Sequence, residues 1–277
     1  MVFIIAEIGT NHLGDVNIAK QIIDVAVNAG CDAVKFQKSD VEKIYTKKFL
    51  NSLLDSPWGT TQREMRLHIE FTDKQFREID LHCKKLKITW FVSCWDVGSQ
   101  IHMRKFKTRY NQIDSDVLTD QSLVETIAKE RKHTFISTGM NTMKEISNTV
   151  KIFRKNKCPF ELMYSHGSFP MSLNEVNIRL IPVLRKKFKC NVGYNGYEKV
   201  AYLVCVVAAM FDATSIQRHI TIDRTSYGHD QAASLEPLGL QKMVRDVRLV
   251  ENILGDGKKQ IWDSELPAMK KLRQKFV

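Results

Sequence analysis

The sequence predicts an α/β protein of the (β/α)8 TIM-barrel class, folded as a single domain over residues 1–277. Three observations point there. The 277 residues lie close to the roughly 250 over which such a barrel closes. Short β-branched or aromatic runs alternate with amphipathic helical stretches along the whole chain, the pattern of parallel βα units. Eight such runs stand out, the number a closed barrel needs: Phe3–Glu7, Ala33–Gln37, Thr89–Ser93, Tyr110–Ile113, Thr134–Ser137, Phe160–Tyr164, Asn191–Gly193 and Thr214–Arg218.

The first run stays apolar until Glu7, a candidate acid/base or hydroxyl-binding group. Gly9, Asn11, His12 and Gly14 follow it before the helical pattern Ile18–Ala29 begins. In the second, AVKFQ, strand alternation sends Lys35 and Gln37 to one face and Val34 and Phe36 to the other. A lysine so placed is either a rim residue whose ammonium snorkels to water or an anion ligand, and we read Lys35 as an anion ligand. The stretch 38–70 then runs unusually long before the helical pattern Thr72–Leu86 and carries SPWGTTQ. Loops of such length in compact domains are lids or disordered insertions. The expectation is a lid over the barrel mouth shielded by Trp58, against the alternative of a dimer contact.

The third and fourth runs lead to Ser93 and Ser115. The fifth reaches Ser137 and then Thr138-Gly139-Met140-Asn141, small residues with backbone N–H groups at the start of a helix, where phosphate is favourably held. Thr142 and Glu145 have the spacing of a capping box for the helix Met143–Arg154. The sixth run ends in Ser165 and His166, and the seventh in the turn GYNGYE with Asn195 and Tyr197. The eighth ends in His219, with Asp230 in the loop that precedes the helical pattern Leu238–Leu254. A lone histidine at a strand end is more often a hydrogen-bonded structural residue than a metal ligand. Strand ends lie near solvent in any protein, but a barrel gathers all eight on one face, so these polar residues are read together as a site.

Composition narrows the function classes. Hydrophobic residues at 43% and charged residues at 26% suit a globular chain with a large core. The net charge of +11 is scattered over helical segments, with local excesses near Lys186 and after Met269, and no aromatic-and-basic interleaving. The reading is a solvated basic surface and no nucleic-acid partner. The six cysteines show no Cys-x-x-Cys spacing, which disfavours a zinc ribbon or redox pair. The N-terminus lacks a signal peptide's features, and the longest apolar run, Tyr202 to Phe211, falls short of the ~20 residues of a membrane span. A cytoplasmic protein with no membrane association is expected.

Taken together, IIAEIGTNHLGD, AGCDAVKFQK, SPWGTTQRE, HTFISTGMNT, SIQRHITIDRTSYGHDQAASLEP and GDGKKQIWDSELP resemble the N-acetylneuraminate (sialic acid) synthase family over nearly the whole chain. The likeness is to single-domain members that stop after the barrel, without the C-terminal antifreeze-like domain that reaches across the dimer in two-domain members. The resemblance implies condensation of phosphoenolpyruvate with the open-chain aldehyde of an N-acetylated hexosamine such as N-acetylmannosamine, with release of phosphate. It also implies a divalent metal, manganese or magnesium, held by two histidines, and a homodimer. By the same resemblance Lys35 matches a lysine at the phosphoenolpyruvate anion and Ser115 a phosphoenolpyruvate-binding serine. Glu7, Gln37 and Asp230 match sugar-binding positions, and His219 matches the second metal histidine. Glu7, Lys35 and His219 are thus the catalytic candidates. Asn11, Ser93, Thr138 and Asn195 join Gln37, Ser115 and Asp230 as substrate-binding candidates through their places at strand ends.

The chain departs from the family pattern where that chemistry would be done. Gly-Tyr-Asn-Gly-Tyr-Glu stands where the family reads Gly-Tyr-Ser-Gly-His-Glu, so Tyr197 occupies the place of the first metal histidine and Asn195 that of a serine. Gln112 replaces a lysine and Gln217 a glutamate, and YSHGSFP is altered at most positions. The alternative expectation is therefore a non-catalytic or repurposed homologue that binds a sugar or phosphate. Asp114, Asp116 and His166 are the residues from which a relocated metal site would have to be built.

Overall fold

A computed structural model of the protein describes residues 1–168 and 170–273, so Phe169 of the YSHGSFP stretch and the end of the basic tail lie outside it. Eight parallel strands close into one barrel: β1 (Phe3–Gly9), β2 (Ala33–Lys38), β3 (Thr89–Cys94), β4 (Asn111–Ile113), β5 (Thr134–Ser137), β6 (Phe160–Ser165), β7 (Val192–Asn195) and β8 (Ser215–His219). Closure comes from β8 pairing with β1 in a register that runs from Phe3 opposite Ser215 to Glu7 opposite His219. Each strand falls within one or two residues of its sequence expectation.

The main outer helices are α1 (Val16–Ala29), α2 (Asp73–Leu86), α3 (Val97–Met103), α4 (Gln121–Ala128), α5 (Met143–Lys155), α6 (Leu180–Phe188), α7 (Ala201–Met210) and α8 (Pro237–Leu254). Their boundaries have local causes. The Asp15 side chain accepts the Asn17 N–H at the start of α1, and Gly30 ends it with φ of +84°, a conformation glycine adopts without strain. Thr72 with Gln75 and Thr142 with Glu145 form capping boxes on α2 and α5. Among the described residues no helix is long and apolar enough to cross a membrane.

The core has two parts, as the two faces of a barrel strand require. Between sheet and helices lies a large apolar shell. Inside the barrel lies a smaller cluster of Ile5, Ala33, Phe91, Phe135 and Met163, joined by Phe3 and Tyr110. Phe135 stacks on Phe91 with centroids 5.7 Å apart and on Phe3 at 5.9 Å. Moving two residues along each strand keeps the same face but changes the chemistry: Ile5 gives way to Glu7, Ala33 to Lys35, Phe91 to Ser93, Tyr110 to Gln112, Phe135 to Ser137 and Met163 to Ser165. A polar layer therefore lies on an apolar plug.

The segment 38–70 is ordered by its own secondary structure. It carries short helices at Val41–Ile44, Lys47–Leu50 and Gln62–Ile69 and a hairpin of Leu53–Ser56 with Gly59–Thr61. Its two ends are tied together by Glu70, which accepts from Lys38 Nζ at 2.5 Å and from the Ser39 N–H at 3.0 Å.

Candidate active site

At the C-terminal ends of the strands lies a cavity of about 430 Å³, lined among others by Gln37, Ser115, Asp116, Tyr197, His219 and Asp230. Segment 38–70 forms part of its wall through Tyr45, Arg66 and Glu70. Arg66 Nη1 donates to the Tyr45 hydroxyl at 2.6 Å, and its guanidinium lies 4.2 Å from the Tyr45 ring centroid. Trp58 does not line the cavity, contrary to the shielding role expected for it. Its ring is spent on bracing, stacked on His68 at 4.8 Å and edge-on to Tyr227 at 5.4 Å, while the Tyr227 hydroxyl donates to the Asp55 carbonyl at 3.1 Å.

Lys35 is 1% exposed and lies in the polar layer beneath the cavity. Its ammonium stands 2.7 Å from Glu7 Oε2 and 2.9 Å from Asp114 Oδ1. Burial works against that charge, but the carboxylates of Asp114 and Glu7 outweigh it and hold the pKa above the usual lysine value. Burial also dominates at Glu7 and pushes its carboxyl up to about 8 against the pull of Lys35. Asp114 resists the same burial because Lys35, Ser93 and Trp95 stabilise its anion, and its pKa falls below the ordinary value. The trio thus favours a Lys35–Asp114 ion pair, with burial drawing Glu7 toward its protonated form. Glu7 Oε1 accepts no hydrogen bond among the described residues. It faces Gly9, whose φ of +51° and whose missing Cβ, which would stand 3.4 Å from Glu7 Oε1 and 3.1 Å from His219 Cε1, leave that edge of the carboxyl beside the cavity.

His219 is buried, and that burial lowers its pKa to about 4, so its imidazole is neutral. Its Nδ1 lies 4.0 Å from Asp230 Oδ2, which also accepts from Thr10 Oγ1 at 3.1 Å. Tyr197 stands beside it, ring centroids 5.7 Å apart, and its hydroxyl accepts from Asn195 Nδ2 at 3.1 Å. Burial, reinforced by Asp114 and Glu7, holds that phenol protonated far above its ordinary pKa. A neutral phenol is a poor ligand for manganese or magnesium, and no group of three His, Cys, Asp or Glu among the described residues converges to hold a metal. The side chains present do not fit the divalent site expected from the sequence. Of the residues from which a relocated site would be built, Asp114 is bonded to Lys35, and His166 Nδ1 accepts the Ser168 N–H while its Nε2 lies 3.9 Å from Glu175.

Other sequence candidates separate in the same way. Gln37, Ser115, His219 and Asp230 share the cavity, and Glu7, Lys35, Ser93 and Asn195 lie in the buried layer at the strand ends. The Asn11 Nδ2 is engaged within the protein, donating to the Ile220 carbonyl at 2.9 Å and Ser234 Oγ at 2.8 Å. The Thr138 hydroxyl is engaged in the same way, donating to the Met163 carbonyl at 3.1 Å. The Thr138 and Gly139 N–H groups, expected to hold phosphate, both donate to Ser165 Oγ, at 3.1 and 2.8 Å. Trp95 was not singled out by the sequence reading. It lines the cavity and donates from Nε1 to Asp114 at 2.9 Å, and the signal was its place just past the end of the third strand.

Comparison with known proteins agrees with this architecture. The profile of the NeuB family matches residues 22–259. Human N-acetylneuraminate-9-phosphate synthase is 34% identical over 281 residues, spanning 99% of this chain and 77% of that protein. The N,N'-diacetyllegionaminic acid synthase of Campylobacter jejuni is 30% identical over 280 residues, 99% of this chain and 84% of the relative. Among solved structures, the N-acetylneuraminic acid synthetase of Leptospira borgpetersenii, in complex with citrate, superposes with a TM-score of 0.85 at 30% identity and covers 99% of this chain and 93% of its own. A truncated 3-deoxy-D-arabino-heptulosonate 7-phosphate synthase from Thermotoga maritima, at 14% identity and a TM-score of 0.70, shares the fold.

Proposed function

We propose, from the premise that this chain belongs to the NeuB family of sialic and nonulosonic acid synthases, that it condenses phosphoenolpyruvate with the open-chain aldehyde of an N-acetylated hexosamine. The observation that carries this reading is the meeting of Gln37, Ser115 and His219, from three separate strand ends, with Asp230 of the loop after β8, in one cavity above Lys35. In the reaction C3 of phosphoenolpyruvate attacks the aldehyde carbon, water adds at C2, and phosphate leaves from the tetrahedral intermediate. The aldehyde oxygen gains negative charge and needs a proton. Glu7 is the group equipped to give one, because burial raises its pKa to about 8 and its Oε1, without a hydrogen-bond partner among the described residues, lies next to Gly9 of the cavity wall. Gln37 and Asp230 are suited to sugar hydroxyls, and Ser115 to the phosphoenolpyruvate anion.

The test is phosphate release on incubation with phosphoenolpyruvate and a panel of N-acetylated hexosamines, with and without manganese or magnesium. Product formation that Glu7→Gln lowers by about 10²-fold, the scale of a general-acid contribution, supports the assignment. A second reading, a homologue that binds sugar without turnover, is favoured by Tyr197 standing as a neutral phenol beside His219. Sugar binding with no phosphate release from any hexosamine selects it.

A further inference from the structure

We propose that Asp114 is a tethered anion that occupies the donor set of the polar layer and competes with an anionic substrate for it. Four side chains from three neighbouring strand ends converge on this one carboxylate. Lys35 Nζ donates to both oxygens, at 2.9 and 3.1 Å, and Gln112 Nε2 to Oδ1 at 2.9 Å. Ser93 Oγ and Trp95 Nε1 donate to Oδ2 at 2.6 and 2.9 Å. An ammonium with a hydroxyl, an indole N–H and an amide N–H is the receptor a carboxylate or phosphate ligand requires. Here the chain supplies the carboxylate itself, and about four lone-pair positions on a carboxylate leave this set fully engaged.

The rest of the layer points the same way. Gln112 Oε1, Asn195 Oδ1 and Gln217 Oε1 are buried amide oxygens with no hydrogen-bond partner among the described residues. What the layer still offers an incoming ligand is therefore acceptors, which suit hydroxyl groups and oppose an anion. Trp95 lines the cavity and donates to Asp114, so the buried carboxylate lies directly behind the cavity wall. Phosphoenolpyruvate must displace it to reach Lys35, which makes Asp114 a specificity-determining residue of the site.

This inference rests on the condensation reading for its ligand, and the experiment separates the two. Phosphoenolpyruvate and inorganic phosphate are titrated calorimetrically into the wild type, Asp114→Asn and Asp114→Ala, and into Asp114→Ala combined with Lys35→Met, each checked for folding by circular dichroism. The expected result is binding at least tenfold tighter in the two single variants, lost again when Lys35 is removed. Equal or weaker binding by folded single variants overturns the proposal. If neither variant folds, the indole N–H resonance of Trp95 decides in the wild type. Saturation with phosphoenolpyruvate shifts it when the Asp114 contact breaks and leaves it unmoved if the proposal is wrong. Tighter anion binding without phosphate release in any variant removes the condensation reading and leaves Asp114's role standing. Condensation by the wild type with no gain in the variants does the opposite.

Discussion

Replacing Glu198 by alanine should destabilise the barrel by about 3–5 kcal/mol, the cost of stripping one partner from a buried ion pair. Glu198 and Arg218 are 0% and 1% exposed, and Arg218 Nη1 donates to Glu198 Oε1 at 2.6 Å. Arg218 Nη2 donates to the Glu198 carbonyl at 2.7 Å, and the buried Tyr194 hydroxyl to Glu198 Oε2 at 2.8 Å. The alanine variant leaves a guanidinium that stays charged at any working pH, and a phenol, both without the carboxylate they were built around. For a domain of this size each kcal/mol moves the midpoint by about 2–4 °C, so thermal unfolding at pH 7 should begin about 6–20 °C lower. The pair also anchors the turn that carries Tyr197 into the cavity. Circular dichroism melts of wild type, Glu198→Ala and the double replacement Glu198→Leu with Arg218→Met test the reasoning. The double variant should regain most of the loss, because it leaves no uncompensated charge. A single variant melting within roughly 2 °C of wild type, or a double variant no better than the single, would refute it.

Tyr197→His combined with Gln112→Lys should gain manganese binding over the wild type, read by the electron paramagnetic resonance of the bound ion; a wild type that binds equally well removes the idea that Tyr197 disables a metal site. His12, stacked on Phe71 at 3.9 Å, is held neutral by burial with its pKa lowered from 6.5 to about 3. The unfolded chain therefore takes up its proton first, stability falls as pH drops from 6.5 toward 3, and His12→Phe should flatten that limb of a urea-midpoint profile. Glu7 acts with the opposite sign: raised from 4.5 to about 8, it keeps its proton in the folded state while the unfolded chain has lost it. Stability should fall as pH rises through that window, and Glu7→Gln should remove the slope. Trp58→Ala, which removes the brace between His68 and Tyr227, should make segment 38–70 the first site of limited proteolysis, and an unchanged cleavage pattern would show that the hairpin holds without it.

The eight strands were legible because each is a short apolar run with turn chemistry at its end. Alternation within AVKFQ already put Lys35 and Gln37 on one face. Gln37, Ser115 and His219 were placed together because a barrel makes strand ends neighbours whatever their separation in sequence, and Asp230 through the family resemblance of its loop. What sequence could not give is which polar group spends its bonds on which. The Lys35–Asp114 contact joins residues 79 apart and exists only once β2, β3 and β4 are side by side. The Asn11 Nδ2 and Thr138-Gly139 N–H donors look like ligand-binding features in one dimension, yet Ser234 and Ser165, from other elements, accept from them in three. The hairpin at Leu53–Thr61 was hidden because its strands are only four and three residues long and mostly outside the core.

The stacking of a polar ring on an apolar plug affects how such a chain changes over generations. Ile5, Phe91, Phe135 and Met163 fill the barrel one level below the polar groups at the strand ends. Replacements at Gln112, Asp114, Asn195 or Tyr197 therefore alter charge and hydrogen bonding while the packing that closes the sheet stays in place. Selection for folding and selection for chemistry fall on different residues of the same strands, two positions apart. A mutant library confined to the ring would therefore vary the chemistry of the strand ends while leaving the plug that closes the sheet untouched.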